Sequence, residues 1–244
     1  MIPEKQIEEF VNKLRQAAGD NLESIVLYGS AASGSFHPDL SDINLLCVLR
    51  ETSFAAMQAL APVLKSWTEQ KHSAPLLLSS EELQRSADVF AIEFLDMKEH
   101  HKMLFGPDPL PQLHVPMDRH RTQVEYELRE KLILLRQRLL LSLADEDRVL
   151  ALLMHSVPAF TTLFRHALIA LGDATPKSKQ ATLQALGARL SFDSAVFTKL
   201  LSLREKPVDR KTVDVKDIVN RYLNAIQQVT AAVDKMLVES RSAL

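Results

Sequence analysis

Two short apolar runs on either side of a turn-rich segment constrain the fold of this 244-residue chain more than any other feature. The first run covers 25–28 and ends at Gly29-Ser30, and the second covers 45–49. Apolar runs of this length, bounded by glycine, serine, proline and aspartate, are typical of β-strands joined by an irregular loop. The stretch therefore predicts a strand, a loop and a second strand.

Polar groups cluster at the loop ends of these two predicted strands. Gly29 allows close approach of the backbone to a phosphate because it has no Cβ, and Ser30 adds a hydroxyl group. Asp42 and Asn44 are two residues apart on the second predicted strand, so their side chains point to the same face. Because carboxylate and amide oxygens bind hard cations, the segment suggests a site for such an ion and the phosphates that it carries.

This pattern resembles the signature of the nucleotidyltransferase superfamily, which includes DNA polymerase beta and the aminoglycoside nucleotidyltransferases. That signature is a hydrophobic residue, Gly-Ser or Gly-Gly, a spacer, and then two acids separated by a hydrophobic residue. Here Tyr28 precedes Gly29-Ser30, the spacer is 31–41, and Asp42 opens the acidic motif, but Asn44 replaces the second acid. The resemblance covers residues 1–110. It implies transfer of a nucleoside monophosphate from a nucleoside triphosphate, such as ATP, to an unknown acceptor, with magnesium as the cofactor.

The resemblance also implies a third acid on a later strand. The stretch 90–97, FAIEFLDM, predicts that strand and places Glu93 as the third acid. A helix is then expected to run to Gly106. In this interpretation Asp42, Asn44 and Glu93 are the metal ligands and catalytic residues, Glu93 acting as the base, while Gly29 and Ser30 bind the nucleotide.

Asn44 leaves two functional alternatives open. Its amide oxygen can still bind a metal, but the site has one negative charge fewer. A pair of unit charges a few ångströms apart is worth at most about 4 kcal/mol at an effective dielectric constant of about 20, so magnesium affinity could fall by up to about three decades. The chain is predicted to be either a weakened nucleotidyltransferase or a catalytically inactive, nucleotide-binding regulatory protein.

Local patterns divide the chain at a proline-rich segment. Before it, strands alternate with helices, which indicates an α/β (α+β) nucleotidyltransferase-like domain with a small mixed sheet. The segment 106–116, GPDPLPQLHVP, contains four prolines and no helical period, and only helical periodicity follows it. We predict domains at 1–110 and 117–244, the second an all-α helical bundle. Its predicted helices are 121–143, 145–157, 158–171, 183–190, 193–203 and 214–238.

Composition and charge restrict the partners of the chain. The net charge of −2 gives no general attraction to nucleic acids or anionic membranes. The apolar run 132–143 is too short to span a membrane, and the N-terminus has no apolar signal core. The single cysteine, Cys47, excludes an intrachain disulfide. We therefore expect a cytoplasmic protein without a membrane partner, for which a nucleic-acid partner is not expected and a homodimer through the helical half is one possibility.

Overall fold

The computed structural model describes residues 2–38, 41–174, 176, 178–205 and 213–242, with side chains up to residue 235. The chain divides into two compact units, Met1–Met117 and Asp118–Leu244. Within the described residues, no helix is both long enough and apolar enough to cross a membrane.

The described part of the first unit contains one four-stranded mixed sheet, as predicted. The strand order is β3-β2-β1-β4; β1 is antiparallel to both neighbours, and β3 is parallel to β2. The elements are α1 (Glu4–Ala18), β1 (Leu22–Tyr28), β2 (Asn44–Leu49), α2 (Phe54–Glu69), β3 (Leu76–Ser79), α3 (Ser80–Arg85), α4 (Ala91–Glu99) and β4 (His101–Phe105).

Both faces of this sheet are packed. On one face, Ile25 and Cys47 join a core with Phe10 of α1 and Trp67 of α2. On the other face, the alternate strand residues pack against α3 and α4 in a second core, which contains Val26, Leu46, Leu83, Phe94 and Met97. Because side chains alternate along a strand, the residues that follow at two-residue steps, Tyr28 and Asn44, belong to the face that α4 covers.

The predicted strand at 90–97 is wrong, and so is the predicted helix running to Gly106. Residues 91–99 form the helix α4, and residues 101–105 form the strand β4. In α4 the side chains of Phe94 and Met97, three residues apart, face the core together. The helix therefore precedes the strand, the reverse of the predicted order. The strand forms at 101–105 because β4 pairs with the open edge of β1, which is distant in sequence.

The described part of the second unit is helical, which agrees with the predicted bundle. Its helices are α5 (His120–Leu140), α6 (Glu146–Ala170), α7 (Lys179–Leu190), α8 (Ala195–Glu205) and α9 (Val215–Ser242). The two helices predicted at 145–157 and 158–171 are a single helix, α6, with Pro158 inside it. The predicted break at Pro158 is therefore wrong.

Pro158 is tolerated because another side chain supplies the donor that it lacks. A proline has no N–H, so the carbonyl of Met154, four residues earlier, loses its helical hydrogen bond. The guanidinium of Arg204, on α8, donates a hydrogen bond from Nη1 to that carbonyl oxygen. The α6 backbone can thus remain helical, with its free acceptor satisfied from a neighbouring helix.

Candidate functional site

A glycine turn lies at the end of β1. Tyr28 ends the strand, and Gly29–Ala31 form one turn of 3-10 helix, with Gly29 at φ +73°. The N–H groups of Ala32 and Ser33 both donate to the Gly29 carbonyl, at 3.1 and 3.0 Å. A φ in this range favours glycine over residues with a side chain, which accounts for Gly29 at this position. The turn places Ser30 immediately beyond the strand.

Asn44 lies against this turn. It is the first residue of β2 and pairs with Tyr28 across the β1–β2 ladder. Its side-chain nitrogen Nδ2 is 3.0 Å from the position that a Cβ on Gly29 would occupy. The side chain of Asn44 therefore fills the space beside the Gly29 backbone that a Cβ would otherwise occupy.

Asp42 precedes β2 and is exposed. Between Asp42 and Asn44, Ile43 is buried in the core on the α1 and α2 side. Asn44 begins β2 and faces the opposite side of the sheet from the buried Leu45. Just before Asp42, the Ser41 N–H donates to the His37 carbonyl at 2.9 Å, and the His37 N–H donates to Ser41 Oγ at 3.0 Å.

Glu93 reaches the same end of the sheet from a helix rather than from a strand. It lies in the first turn of α4 and is half-buried. Burial raises the pKa of Tyr28, and the negative charge of Glu93 raises it further. Glu93 is therefore close enough to act electrostatically on the residue that precedes Gly29.

The strand on the other side of β2 supplies leucines to this face. Leu76 and Leu78 of β3 pair with Leu46 and Val48 of β2, so they lie on the face that carries Asn44. Leu76 remains 39% exposed. In the part of the chain that the structure describes, no three histidine, cysteine, aspartate or glutamate side chains are grouped so that they could hold a metal ion. The strand β3 itself, LLLS, contains no carboxylate.

The oxygen donors of Asp42 and Asn44 suit a magnesium ion that is also bound by phosphate oxygens. Magnesium is usually bound through one or two carboxylates together with water and substrate phosphates, rather than by an all-protein cage. One carboxylate and one amide oxygen match that requirement when phosphate oxygens complete the coordination. The pair therefore fits an ion that arrives with a nucleotide.

A histidine–aspartate pair on the same face was not found from the sequence. His101 pairs with Tyr28 across the β1–β4 ladder, and its Nε2 lies 2.8 Å from Oδ2 of Asp108. Burial acts to raise the pKa of Asp108, but hydrogen bonds from His101 and from the Leu110 N–H hold it below its usual value. Asn44, Tyr28 and His101 consequently lie side by side on three adjacent strands. No local signal marked His101, because its segment was predicted to be helical.

Comparison with known proteins supports the same family. Residues 5–109 match the family model of the nucleotidyltransferase domain. No curated protein sequence matches the chain. The crystal structure of spectinomycin adenyltransferase AAD(9) from Enterococcus faecialis, with ATP and spectinomycin, aligns over 92% of this chain and 99% of its own, at 16% identity and a TM-score of 0.57. At that identity the alignment shows a shared fold.

Two toxin–antitoxin structures align over a smaller part. One contains AMP-PNP and the other is a mutant of MntA-HpeT; their identities are 23% and 22%, and each covers 41% of this chain and 74% of its own, with a TM-score of 0.29. The family match and the adenyltransferase fold confirm the resemblance to the nucleotidyltransferase superfamily.

Proposed function

We propose that the nucleotidyltransferase domain formed by residues 5–109 binds a nucleoside triphosphate at the Gly29 turn and transfers its nucleoside monophosphate to an acceptor hydroxyl. Gly29 and Ser30 would contact the phosphates, and Asp42 and Asn44 would bind the magnesium ion that accompanies them. The contact between Asn44 and Gly29 carries this proposal, because one metal–triphosphate group can then touch both elements.

The transfer needs a group that accepts the proton of the attacking hydroxyl. We assign that role to Glu93, because its carboxylate lies near Tyr28 at the same end of the sheet. A bond forms between the acceptor oxygen and the α-phosphorus, the bond from that phosphorus to the bridging oxygen breaks, and pyrophosphate leaves. The acceptor proton passes to Glu93. When bound, magnesium would offset the negative charge on the reacting phosphates.

Binding and transfer can be tested separately. Calorimetry with ATP, with and without magnesium, measures binding, and ATP labelled at the α-phosphate measures transfer to a panel of hydroxyl-bearing acceptors. Asp42→Ala should weaken magnesium-dependent binding and abolish labelling. Asp20→Ala removes an exposed acid from the turn before β1 and is the matched control, expected to behave as the unaltered protein. Labelling that is absent, or that persists in Asp42→Ala, would contradict the proposed transfer.

Nucleotide binding without transfer is the second candidate. Two observations favour it: Asn44 stands at the second acidic position, and β3 offers Leu76 and Leu78 rather than an acid. Under this alternative, Asn44→Asp should raise magnesium affinity, by up to about three decades, and should create transfer activity. Asn12→Asp, at an exposed position on α1, adds the same charge elsewhere and should change neither. Labelling by the unaltered protein would exclude this candidate.

We also propose the domain boundaries of the chain and a homodimer. We assign domains at 1–110 and 117–244, and two separately expressed chains divided between Met117 and Asp118 should each unfold cooperatively in urea. A homodimer through the helical half should give twice the chain mass in light scattering coupled to size-exclusion chromatography. A strict monomer at high concentration would rule out the homodimer.

A further inference from the structure

Two large apolar side chains are about half exposed at the start of α4. Val89 is 50% exposed and Phe90 is 46% exposed, whereas Phe94 and Met97 on the same helix are buried. Aromatic rings contribute much of their stabilising energy through burial, so an open ring face is a natural contact surface for a ligand. The exposed part of the Phe90 ring is therefore a candidate contact surface for a ligand.

Backbone hydrogen bonds and a ring contact restrain Phe90. Its carbonyl accepts a hydrogen bond from the Phe94 N–H at 3.0 Å, and its own N–H donates to Ser86 at 2.9 Å. Its ring meets the ring of Phe94 edge to face, with centroids 6.4 Å apart and planes at 90°. The Phe90 side chain would therefore lose little conformational entropy when a planar group stacks on its open side.

Phe90 borders the face that carries the glycine turn. Phe94, which supports its ring, packs in the core with Val26 and Leu46. Each of these lies two strand positions from a residue of the candidate site, Tyr28 or Asn44, on the same face. Phe90 is the N-cap of α4 and Glu93 lies in its first turn, so both are at the same end of the helix. The charge of Glu93 acts on Tyr28, so this end of α4, with Phe90, lies near the residue that precedes Gly29.

We infer that the open ring of Phe90 is the surface on which the nucleotide base stacks, and that the preferred ligand is a purine nucleoside triphosphate. Bases stack on aromatic side chains regardless of their hydrogen-bonding edges, because every base has a π-face. A purine, with two fused rings, covers more of an open phenyl ring than a pyrimidine does. This inference rests on the proposed function, since it takes the phosphates to be bound at the Gly29 turn.

The test compares a base-bearing ligand with one that has no base. The full chain is titrated by calorimetry with ATP, UTP and inorganic tripolyphosphate, each with magnesium. Phe90→Ala should weaken ATP binding by at least about fivefold, leave tripolyphosphate binding unchanged, and reduce the preference for ATP over UTP. Phe90→Trp should retain ATP binding. The matched control is Phe54→Ala: Phe54 is 72% exposed at the start of α2, on the helix that packs against the opposite face.

The outcomes separate this inference from the proposed function. Unchanged ATP affinity in Phe90→Ala would overturn the stacking role while leaving nucleotide binding intact. An equal loss of ATP and tripolyphosphate binding would also overturn it, because the ring would then be acting through the fold. If the unaltered protein binds neither ligand, the proposed function fails, and the inference fails with it.

Discussion

The side-chain nitrogen Nδ2 of Asn44 lies 3.0 Å from the point that a Cβ on Gly29 would occupy. Gly29 therefore meets two requirements, a backbone at φ +73° and a contact with the first residue of β2. The first requirement concerns stability alone. The second also fixes how the strand with Asn44 approaches the turn, so a substitution here can separate folding from ligand binding.

Gly29→Ala should lower both the stability of the first unit and its affinity for magnesium–ATP. The left-handed backbone costs about 1–2 kcal/mol with a Cβ, and the added methyl group must displace Asn44. Unfolding by urea is followed through the fluorescence of Trp67, the single tryptophan, which is buried in the first unit. Gly34→Ala is the matched control, because Gly34 has φ +76° but open space around it. It should lose similar stability and keep its ATP affinity; equal affinity losses would contradict this account.

Gly106 makes a closer approach than Gly29. A Cβ there would lie 1.9 Å from the backbone oxygen of Glu23, at the end of the β1–β4 ladder. The backbone cannot move aside as a side chain does. Gly106→Ala should therefore lower the free energy of unfolding by about 2 kcal/mol or more beyond the change in Gly19→Ala, and the urea midpoint should fall accordingly. Gly19 also has a positive φ, +53°, with open space around it. Similar midpoints for the two variants, measured by Trp67 fluorescence, would disprove the predicted clash.

Sequence patterns were sufficient where structure depends on local spacing. The apolar runs that became β1 and β2 and the periodic segment that became α5 each carry their own signal. The spacing from Gly29 to Asn44 likewise anticipated that the turn and the second strand would belong together, and the structure places these two residues in contact. In both cases the information lies within the segment itself.

Patterns failed where the partner is distant in sequence. The run 90–97 is apolar enough for a strand, whereas in the structure it is a helix whose Phe94 packs in a core with Val26 and Leu46. The strand β4 exists because β1 has an open edge, and with it comes the pairing of His101 to Asp108. Pro158 stays inside α6 because Arg204, more than forty residues later, reaches the Met154 carbonyl. None of these partners can be identified from local periodicity.

The buried pair of His120 and His166 should make the second unit sensitive to acid. The rings approach at 2.8 Å between Nε2 of His120 and Nδ1 of His166, and burial, together with the charge of His166, lowers the pKa of His120 to about 4. An unfolded histidine binds its proton near pH 6.5, so the unfolded state takes up more protons below that pH. The free energy of unfolding should therefore fall between about pH 6.5 and 4, by up to about 3 kcal/mol.

His120→Gln should flatten this pH dependence, because the amide does not titrate and can still hydrogen-bond to His166. Far-ultraviolet circular dichroism during urea unfolding is measured at several pH values, and Trp67 fluorescence reports the first unit separately. His155→Gln, at an exposed position on α6, is the matched control and should retain the slope of the unaltered protein. A slope in His120→Gln equal to that of the control would show that another group is responsible.

Glu93→Gln should lower the pKa of Tyr28 without returning it to the ordinary tyrosine value. The largest cause of the raised pKa is burial, which remains, while the repulsion between the phenolate and the Glu93 carboxylate is removed. The near-ultraviolet absorbance of phenolate, followed through an alkaline titration, measures this shift, and Tyr28→Phe identifies its contribution. Glu81→Gln neutralises an exposed acid on α3 and should leave the titration unchanged. An unaltered Tyr28 titration in Glu93→Gln would remove Glu93 from the candidate site.

Arg204 should contribute more to stability when Pro158 leaves the Met154 carbonyl without a backbone donor than when an N–H is restored. Arg204→Met removes the guanidinium that donates to this oxygen and should cost about 1–2 kcal/mol in the unfolding of the helical unit, followed by circular dichroism. Pro158→Ala restores a backbone N–H four residues after Met154, which can donate to the same carbonyl. In that background Arg204→Met should cost about 1 kcal/mol less, a coupling that a double-mutant cycle measures directly. Additive effects would mean that Arg204 stabilises the unit through its other contacts, and that the Met154 carbonyl gains nothing from it.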